Sequence, residues 1–170
     1  INYEVGKVNE IIYEDKKKTL VNYDYNGEWV DGKKQGKGKL ITFNNDVKYG
    51  FIDKYYEGNF VNNKYEGEGY LKLYKNPEQQ EDDDYSSLIP EGLFDEPEIL
   101  IASYDGSFKD GLYDGKGIYN VYNEYALEAV YEGNFMKGKP IGKFKKTENG
   151  NTSIGILHIN DKHDITFVKI

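Results

Sequence analysis

The sequence contains no cysteine, so disulfide bonds, thiolate nucleophiles and cysteine-ligated zinc are excluded. Arginine is absent as well, because all 22 basic residues are lysines. A chain without arginine and with a net charge of −8 is not expected to bind nucleic acid. No apolar run approaches the roughly 20 residues that a membrane-spanning helix needs. The available chemistry therefore rests on lysines, carboxylates and aromatic rings.

Aromatic residues are abundant, although apolar residues as a whole are few. The chain has 17 Tyr, 8 Phe and 1 Trp, yet its apolar fraction is only 38%. Because disordered chains are poor in aromatics, we expect most of the sequence to fold, in a thin architecture with much surface. The charge is uneven, since nine of the 30 acids and no lysine lie between Pro77 and Glu98. The remaining 21 acids nearly balance the 22 lysines, which predicts a solvated acidic insert in an otherwise neutral fold.

Four segments of fourteen residues align without gaps and begin at Tyr25, Tyr56, Tyr104 and Tyr131. Their shared frame is a tyrosine, a glycine two residues later, an aromatic residue four later, and glycines seven, eleven and thirteen later. Only Asn63 and Phe144 depart from it. A match of this quality indicates an internal repeat, which decides the fold before any single residue does.

A dipeptide at the centre of each segment predicts a two-residue hairpin turn. Type I′ turns need positive φ at both central positions, which favours Asn, Asp and Gly. The four dipeptides are Asp31-Gly32, Asn62-Asn63, Asp110-Gly111 and Lys137-Gly138. Lysine fits such a position poorly, so we expect the fourth turn to differ from the other three.

A turn at this place predicts which residues lie opposite each other. In the first segment Tyr25 would face Gly38, Gly27 would face Gly36, and Trp29 would face Lys34, with equivalent pairs in the second and third segments. Side chains alternate along a strand, so these residues share one face, on which rings could lie flat over bare glycine pairs. The opposite face is mostly polar in the first two segments and should be wet.

The frame Tyr-x-Gly-x-(Trp/Phe)-x-x-Gly-x-x-x-Gly-x-Gly resembles the MORN repeat (membrane occupation and recognition nexus). The resemblance implies an all-β fold: an elongated, twisted, single-layer antiparallel meander of stacked hairpins, often with a concave groove. The family's period is about 23 residues, whereas the spacings here are longer, so the excess should lie in connections. The implied organisation is an N-terminal capping hairpin (1–24), four repeats (25–144) with an acidic insert (76–99), and a C-terminal capping hairpin (145–170).

Apolar runs outside the frame predict further hairpins. The first joins Ile11–Tyr13 to Thr19–Val21, and the last joins Ile154–Ile159 to Ile165–Ile170. A third reversal is expected at Asn44–Asp46, between Leu40–Phe43 and Val47–Tyr49. We also hypothesise that Phe144 fills a glycine slot at the C-terminal end of the array, where no following repeat supplies a ring.

No motif for catalysis is visible, and we expect neither enzymatic activity nor a cofactor or metal site. The two histidines, His158 and His163, lie on the predicted terminal hairpin and are expected at the surface or in a turn. The acidic run Glu81–Asp84 lacks the alternating ligands and the glycine of a calcium loop. The apolar residues that follow it have two open interpretations, docking on a partner or folding back over the aromatic face: Tyr85, Leu88, Ile89, Leu93 and Phe94.

MORN-repeat proteins commonly organise cytoskeletal, ciliary or membrane-cortex assemblies in the cytoplasm, so the resemblance implies a non-enzymatic scaffold. A peptide or helix of a partner protein would lie on the concave aromatic face, although the same rings could simply pack the sheet. The candidate partner-binding residues are Trp29, Phe60, Tyr65, Phe108, Tyr113 and Phe135.

Two alternatives stay open. The repeat has been associated with phosphoinositides, which makes anionic lipid a possible ligand of Lys33, Lys34, Lys37 and Lys39. The chain could also be a regulatory fragment of a larger enzyme, because MORN repeats accompany lipid-kinase and methyltransferase domains. Exposed terminal strands would in addition allow a homo-oligomer through edge pairing.

Overall fold

The computed structural model describes residues 3–14, 17–44, 51–75 and 99–170, and these ranges contain strands and turns but no helix. Eleven strands are present: β1 Tyr3–Glu14, β2 Lys17–Val30, β3 Lys33–Asn44, β4 Phe51–Val61, β5 Lys64–Lys75, β6 Ile99–Lys109, β7 Leu112–Asn123, β8 Ala126–Met136, β9 Lys139–Glu148, β10 Asn151–Ile159 and β11 Ile165–Lys169. The described part of the chain holds no helix that could span a membrane.

The strands form one open sheet in which spatial order follows chain order from β1 to β11. Each strand pairs antiparallel with its neighbours in the chain. This confirms the predicted all-β meander of consecutive hairpins. The closing hairpin is also found, because β10 pairs with β11. At the other end, β1 pairs with β2 from Glu14 opposite Lys17 to Tyr3 opposite Glu28.

Among the described residues, six two-residue turns join strands, and both central residues of each have positive φ. They are Asp31-Gly32, Asn62-Asn63, Asp110-Gly111, Glu124-Tyr125, Lys137-Gly138 and Asn149-Gly150. The expectation that the fourth repeat turns differently is wrong, since Lys137 has φ of 50° against 51° for Asp31. A hairpin loop of two residues requires positive φ at both of its positions. Lysine therefore adopts this conformation at a cost of roughly 1–2 kcal/mol. The turn at Glu124-Tyr125 carries no Asn, Asp or Gly signal and was not predicted.

The predicted pairing of the repeat glycines is wrong by two residues. Trp29 lies opposite Lys34 as expected, but Gly27 pairs with Gly38 and Tyr25 with Leu40. A bulge on the return strand causes the shift, and Gly36 sits in it with φ of 77°. The equivalent glycines Gly67, Gly115 and Gly142 also have positive φ. The glycine eleven residues into the frame therefore bends the return strand and does not make room for a ring.

In the corrected register, the glycines that lie two and thirteen residues after the frame tyrosines form one row across the sheet. Each pairs with a glycine on both neighbouring strands where the repeat is complete. The glycine row consists of Gly27, Gly38, Gly58, Gly69, Gly106, Gly117 and Gly133. It crosses seven strands, β2 to β8, perpendicular to the chain direction.

The two faces of the sheet differ as predicted. The aromatic face carries the frame tyrosines and one continuous buried cluster, which runs from Tyr25 on β2 to Leu157 on β10. In the first two repeats, no side chain that is predicted to lie on the opposite, polar face is buried. Ser103 is the exception further along; it is fully buried and bonded to Asn120 and Tyr122.

Three predictions fall partly or wholly outside the described residues. These are the strand Val47–Tyr49, the acidic run Glu81–Asp84 and the apolar residues Tyr85 to Phe94. The reversal expected at Asn44–Asp46 is bracketed by strands that do pair, because β3 ends at Asn44 and its antiparallel partner β4 begins at Phe51.

Candidate partner-binding surface

The frame tyrosine of each of the first three repeats covers the glycine pair of its own hairpin. A Cβ atom built on Gly27 or on Gly38 would lie 2.6 Å from the hydroxyl oxygen of Tyr25. Tyr56 and Tyr104 cover the glycines of the second and third repeats in the same way. Any side chain in the glycine row would therefore displace a ring, which is why the frame keeps glycine there.

The tyrosine hydroxyls are satisfied by the backbone three residues further on. Tyr25 donates to the carbonyl oxygen of Glu28, Tyr56 to that of Asn59, and Tyr104 to that of Ser107, each at 2.8 Å. The identical bond in three repeats fixes each ring flat on the sheet, and satisfies a polar group that burial would otherwise make costly.

Each of these frame tyrosines packs against an aromatic residue of its own repeat and against one of the next repeat. The ring of Tyr56 meets Phe60 of its own repeat at 5.0 Å and Phe108 of the next at 5.3 Å, both edge to face. Tyr104 meets Phe108 and Phe135 at 5.0 and 5.2 Å. Edge-to-face pairs at these distances are favourable beyond their buried area. The contacts link the repeats into one continuous aromatic ladder.

A second layer of rings lies on the first. Tyr65 stacks on Tyr56 with centroids 3.8 Å apart, and Tyr113 stacks on Tyr104 at 4.0 Å. In repeat 1 the equivalent residue is Lys34, whose Nζ lies 5.4 Å from the ring centroid of Tyr25 and 5.3 Å from that of Trp29. The position therefore accepts either a ring or a cation over the buried tyrosine.

The six predicted partner-binding residues all belong to this ladder, but they differ in access. Phe60, Phe108 and Phe135 are only 1–3% exposed and serve as packing between repeats. Trp29, Tyr65 and Tyr113 are partly buried. A partner that approached this face would therefore meet the outer three rings, because the inner three are covered by their neighbours.

The fourth repeat covers its glycine differently. A Cβ atom on Gly133 would lie 2.7 Å from Cδ1 of Phe144, whose ring is completely buried. The hypothesis that Phe144 fills a glycine slot is confirmed, although the ring it replaces is that of the repeat's own tyrosine. Tyr131 packs instead against Phe167 of β11 at 5.6 Å. Phe167 in turn covers Gly155, so the closing hairpin repeats the same device.

Burial governs the titration of these tyrosines. It raises the pKa of the Tyr65 hydroxyl to about 12, and raises the pKa values of Tyr56, Tyr104 and Tyr113 still further. Burial and the nearby Lys54 lower the pKa of His163, which lies in the turn between β10 and β11. His158 is exposed on β10, so both histidines lie at the surface or in a turn as expected.

Sequence reasoning missed three buried polar atoms that lack a hydrogen-bond partner among the described residues. They are Nε1 of Trp29, Oγ1 of Thr42 and the hydroxyl of Tyr119. In those same ranges, no group of three or more His, Asp or Glu side chains is placed to hold a metal ion.

Of the four candidate lipid-binding lysines, three (Lys33, Lys37 and Lys39) are exposed on the polar face, and only Lys34 lies on the opposite one. Lys34 lies on the aromatic face, over Tyr23, Tyr25 and Trp29. Lys37 and Lys39 are exposed on the polar face, where Lys39 reaches Glu57 at 3.7 Å. Alternation along β3 places Lys34 on the face opposite to that of Lys33, Lys37 and Lys39.

Comparison with protein-family models matches the MORN repeat at four stretches: residues 25–47, 56–74, 104–120 and 131–143. The chain carries four MORN repeats. Each match begins at a frame tyrosine, and each contains the glycines that form the row or the bulge. A search of curated proteins returns no match for the chain. In each of the first three repeats, a ring of the hairpin covers the glycine pair of the same hairpin and packs against an aromatic residue of the next hairpin.

Proposed function

We propose that this MORN-repeat protein is a non-enzymatic scaffold that binds a partner protein along its aromatic face. The observation that carries the proposal is the outer layer of the ladder. Tyr65 and Tyr113 are each held flat on a buried tyrosine, and each remains partly accessible. Aromatic side chains fixed in this manner lose little entropy on binding and are typical anchors of protein interfaces.

The spacing of the anchors suits a peptide or a helix. Tyr65 is on β5 and Tyr113 is on β7, so two strand spacings, about 10 Å, separate them. Trp29 extends the series towards the first repeat. The family resemblance adds the setting that we propose, a cytoplasmic assembly at the cytoskeleton, the cilium or the membrane cortex.

The test exploits the natural variation at this frame position. Because repeat 1 carries Lys34 where the next two repeats carry tyrosine, the double variant Tyr65→Lys/Tyr113→Lys uses a residue that the repeat already accommodates. It removes the outer rings and leaves the inner ladder. We expect the partner recovered with the wild-type protein by affinity purification from native cells to be lost, while the circular dichroism spectrum stays that of a β-sheet.

The matched control introduces the same two lysines on the polar face. Ile118→Lys/Ile154→Lys replaces residues that are 37% and 44% exposed and that lie outside the ladder. This control should retain the partner. Full retention by the Tyr65→Lys/Tyr113→Lys variant, or equal loss from both variants, would show that the aromatic face is not the binding surface.

A further inference from the structure

The dipeptide Asn149-Gly150 forms the turn between β9 and β10, and both of its residues are exposed. Their φ angles are 50° and 75°, as a type I′ turn requires. An asparagine that precedes glycine is the most exposed to attack by the next main-chain nitrogen, because glycine has no Cβ to hinder the approach. The space around Gly150 is open as well, since a Cβ atom built on it would meet nothing within 4 Å.

Three of the repeat turns are held by a bond to the preceding repeat, and the β9–β10 turn is not. In those three, the N–H of the second turn residue donates to a backbone carbonyl. The bonds run from Asn63 to Lys34 at 3.0 Å, from Gly111 to Tyr65 at 2.9 Å, and from Gly138 to Tyr113 at 2.8 Å. Among the described residues, the N–H of Gly150 has no such partner. The central peptide of the β9–β10 turn can therefore rotate without breaking a hydrogen bond to a neighbouring repeat.

Rotation of this peptide converts the type I′ turn into a type II′ turn, the other common two-residue hairpin turn. The φ of Asn149 stays positive and its ψ moves to about −120°, while the φ of Gly150 changes sign, which glycine tolerates. At that ψ the Cβ of Asn149 eclipses the nitrogen of Gly150, which is the geometry of a five-membered ring containing both. In the type I′ form the nitrogen points away from the side chain. The type II′ form is a minor one, because asparagine is strained there, but the ring can close only from it.

We propose that Asn149 deamidates spontaneously through this turn, and that the product loosens the pairing of β9 with β10. The nitrogen of Gly150 loses its proton and attacks Cγ of Asn149. The bond from Cγ to the side-chain nitrogen breaks, and ammonia leaves with that proton. Water then opens the succinimide ring, at Cγ to give aspartate or at the main-chain carbonyl to give isoaspartate. This chemistry is independent of the partner-binding function proposed above.

The isoaspartate product acts on the strand pair that the turn joins. It adds one main-chain carbon atom to a two-residue turn, which then cannot keep the geometry that sets Glu148 opposite Asn151. Further along the same pair, Phe144 lies opposite Gly155, and its ring covers Gly133. Deamidation therefore weakens the end of the sheet that Phe144 holds together.

The chain contains a second Asn-Gly dipeptide, Asn26-Gly27, which serves as an internal reference. Both residues lie within β2 and pair with β1 on one side and with β3 on the other. Gly27 is also buried. Ring closure at Asn26 requires strand hydrogen bonds to break first, so the same dipeptide should react more slowly there.

The test is to incubate the whole protein in mildly alkaline buffer at physiological temperature, cleave it at lysine, and follow each amide by mass spectrometry. We expect Asn149 to convert at least about tenfold faster than Asn26, since a single backbone hydrogen bond is worth up to that factor. Conversion should be faster at higher pH, because the deprotonated nitrogen is the nucleophile. Equal rates at the two sites would overturn the proposal. So would an unchanged Asn149 under conditions that convert a synthetic peptide of residues 147–152.

The variant Asp110→Asn tests the role of the bond between repeats, because it places an Asn-Gly dipeptide in a turn of the same kind. Asp110 has a φ of 51° and is exposed, but the N–H of Gly111 is bonded to Tyr65. The new asparagine should convert about tenfold more slowly than Asn149 of the same molecules. Equal conversion would show that the free peptide of the β9–β10 turn plays no part, and would contradict the route through its rotation.

The effect on the strand pair is measured on the product, which carries one more negative charge and separates by anion exchange. The isoaspartate fraction should melt about 3 °C lower than the fresh protein, as the loss of one hydrogen bond would produce in a chain of this size. Asn149→Lys is the control, because Lys137 shows that such a turn accommodates lysine, and it should form no acidic product at this site. An isoaspartate fraction that melts together with the fresh protein would overturn the second half of the proposal.

Discussion

In the second, third and fourth repeats a ring covers the glycine row, but in the fourth repeat this ring comes from the other strand of the hairpin. In the former pair, Tyr56 and Tyr104 come from the first strand and lie over their glycines. In the fourth, Phe144 comes from the return strand and lies over Gly133. Tyr131, freed from that role, packs against the closing hairpin through Phe167.

The glycine row therefore needs a ring above it, and not a tyrosine at a fixed place. Phe135 contacts Tyr104 at 5.2 Å and Phe144 at 5.4 Å, both edge to face. The ladder is therefore continuous across the change of strand. Phe144 has no hydroxyl with which to bond the backbone, and Pro140 stands where the second and third repeats carry the stacked tyrosine.

The largest effect is expected from Phe144→Gly, which restores the frame glycine in the fourth repeat. The substitution makes the fourth repeat look more regular, yet it should cost about 4 kcal/mol of unfolding free energy, because it removes a fully buried ring. Urea denaturation followed by circular dichroism measures the loss. Lys143→Gly on the same strand controls for the backbone cost of glycine, about 1 kcal/mol. A Phe144→Gly variant no less stable than this control would show that Gly133 needs no cover.

The converse test fills the glycine row. In Gly117→Val, the new side chain overlaps the ring of Tyr104, and overpacking of this kind costs about 3 kcal/mol. The midpoint of the same urea titration should fall accordingly. Lys116→Val, on the exposed neighbouring position, should change it little. A tolerated valine at Gly117 would mean that the ring does not lie on the row.

Alkaline pH should destabilise the second and third repeats in particular, because only they stack two tyrosines. Tyr65 has its folded pKa raised to about 12, above its unfolded value, so its contribution is complete below about pH 10 and is lost as the pH rises towards 12. The loss amounts to at most about 2–3 kcal/mol for this residue. Absorbance at 295 nm should show late, cooperative ionisation that coincides with unfolding. Ionisation of all tyrosines near pH 10 in the folded protein would contradict the stacking.

The smallest effects come from single hydroxyls. Tyr104→Phe removes the bond to Ser107 and should cost about 1 kcal/mol. Tyr119→Phe removes a buried hydroxyl that has no partner in the described ranges, and should be neutral or stabilising by up to about 1 kcal/mol. Thermal unfolding of the two variants side by side measures the difference. Equal destabilisation would show that Tyr119 has a partner after all.

The architecture could be predicted from the sequence because the frame repeats four times and alternation fixes the faces. The register could not, since the bulge at Gly36 shifts partners by two residues, which leaves every side chain on its original face. A hydrophobic pattern of period two stays the same when the pairing shifts by two residues, so it cannot reveal such a shift. Trp29–Lys34 was predicted correctly because it lies between the turn and the bulge.

For the candidate surface, the sequence predicts which aromatic residues take part, but not which of them are exposed. The frame identifies the aromatic residues, but Phe60 and Tyr65 look alike in the sequence, and only the contacts between repeats bury the first and leave the second partly open.

Nuclear Overhauser contacts between the glycine Hα protons of the row and the rings above them, recorded on the uniformly labelled protein, test directly whether rings cover the glycine row. We expect contacts of Gly106 and Gly117 with Tyr104, and of Gly133 with Phe144, all with Hα shifts moved upfield by the rings. Contacts of Gly133 with Tyr131 in place of Phe144, or glycine Hα shifts at ordinary strand values, would contradict it.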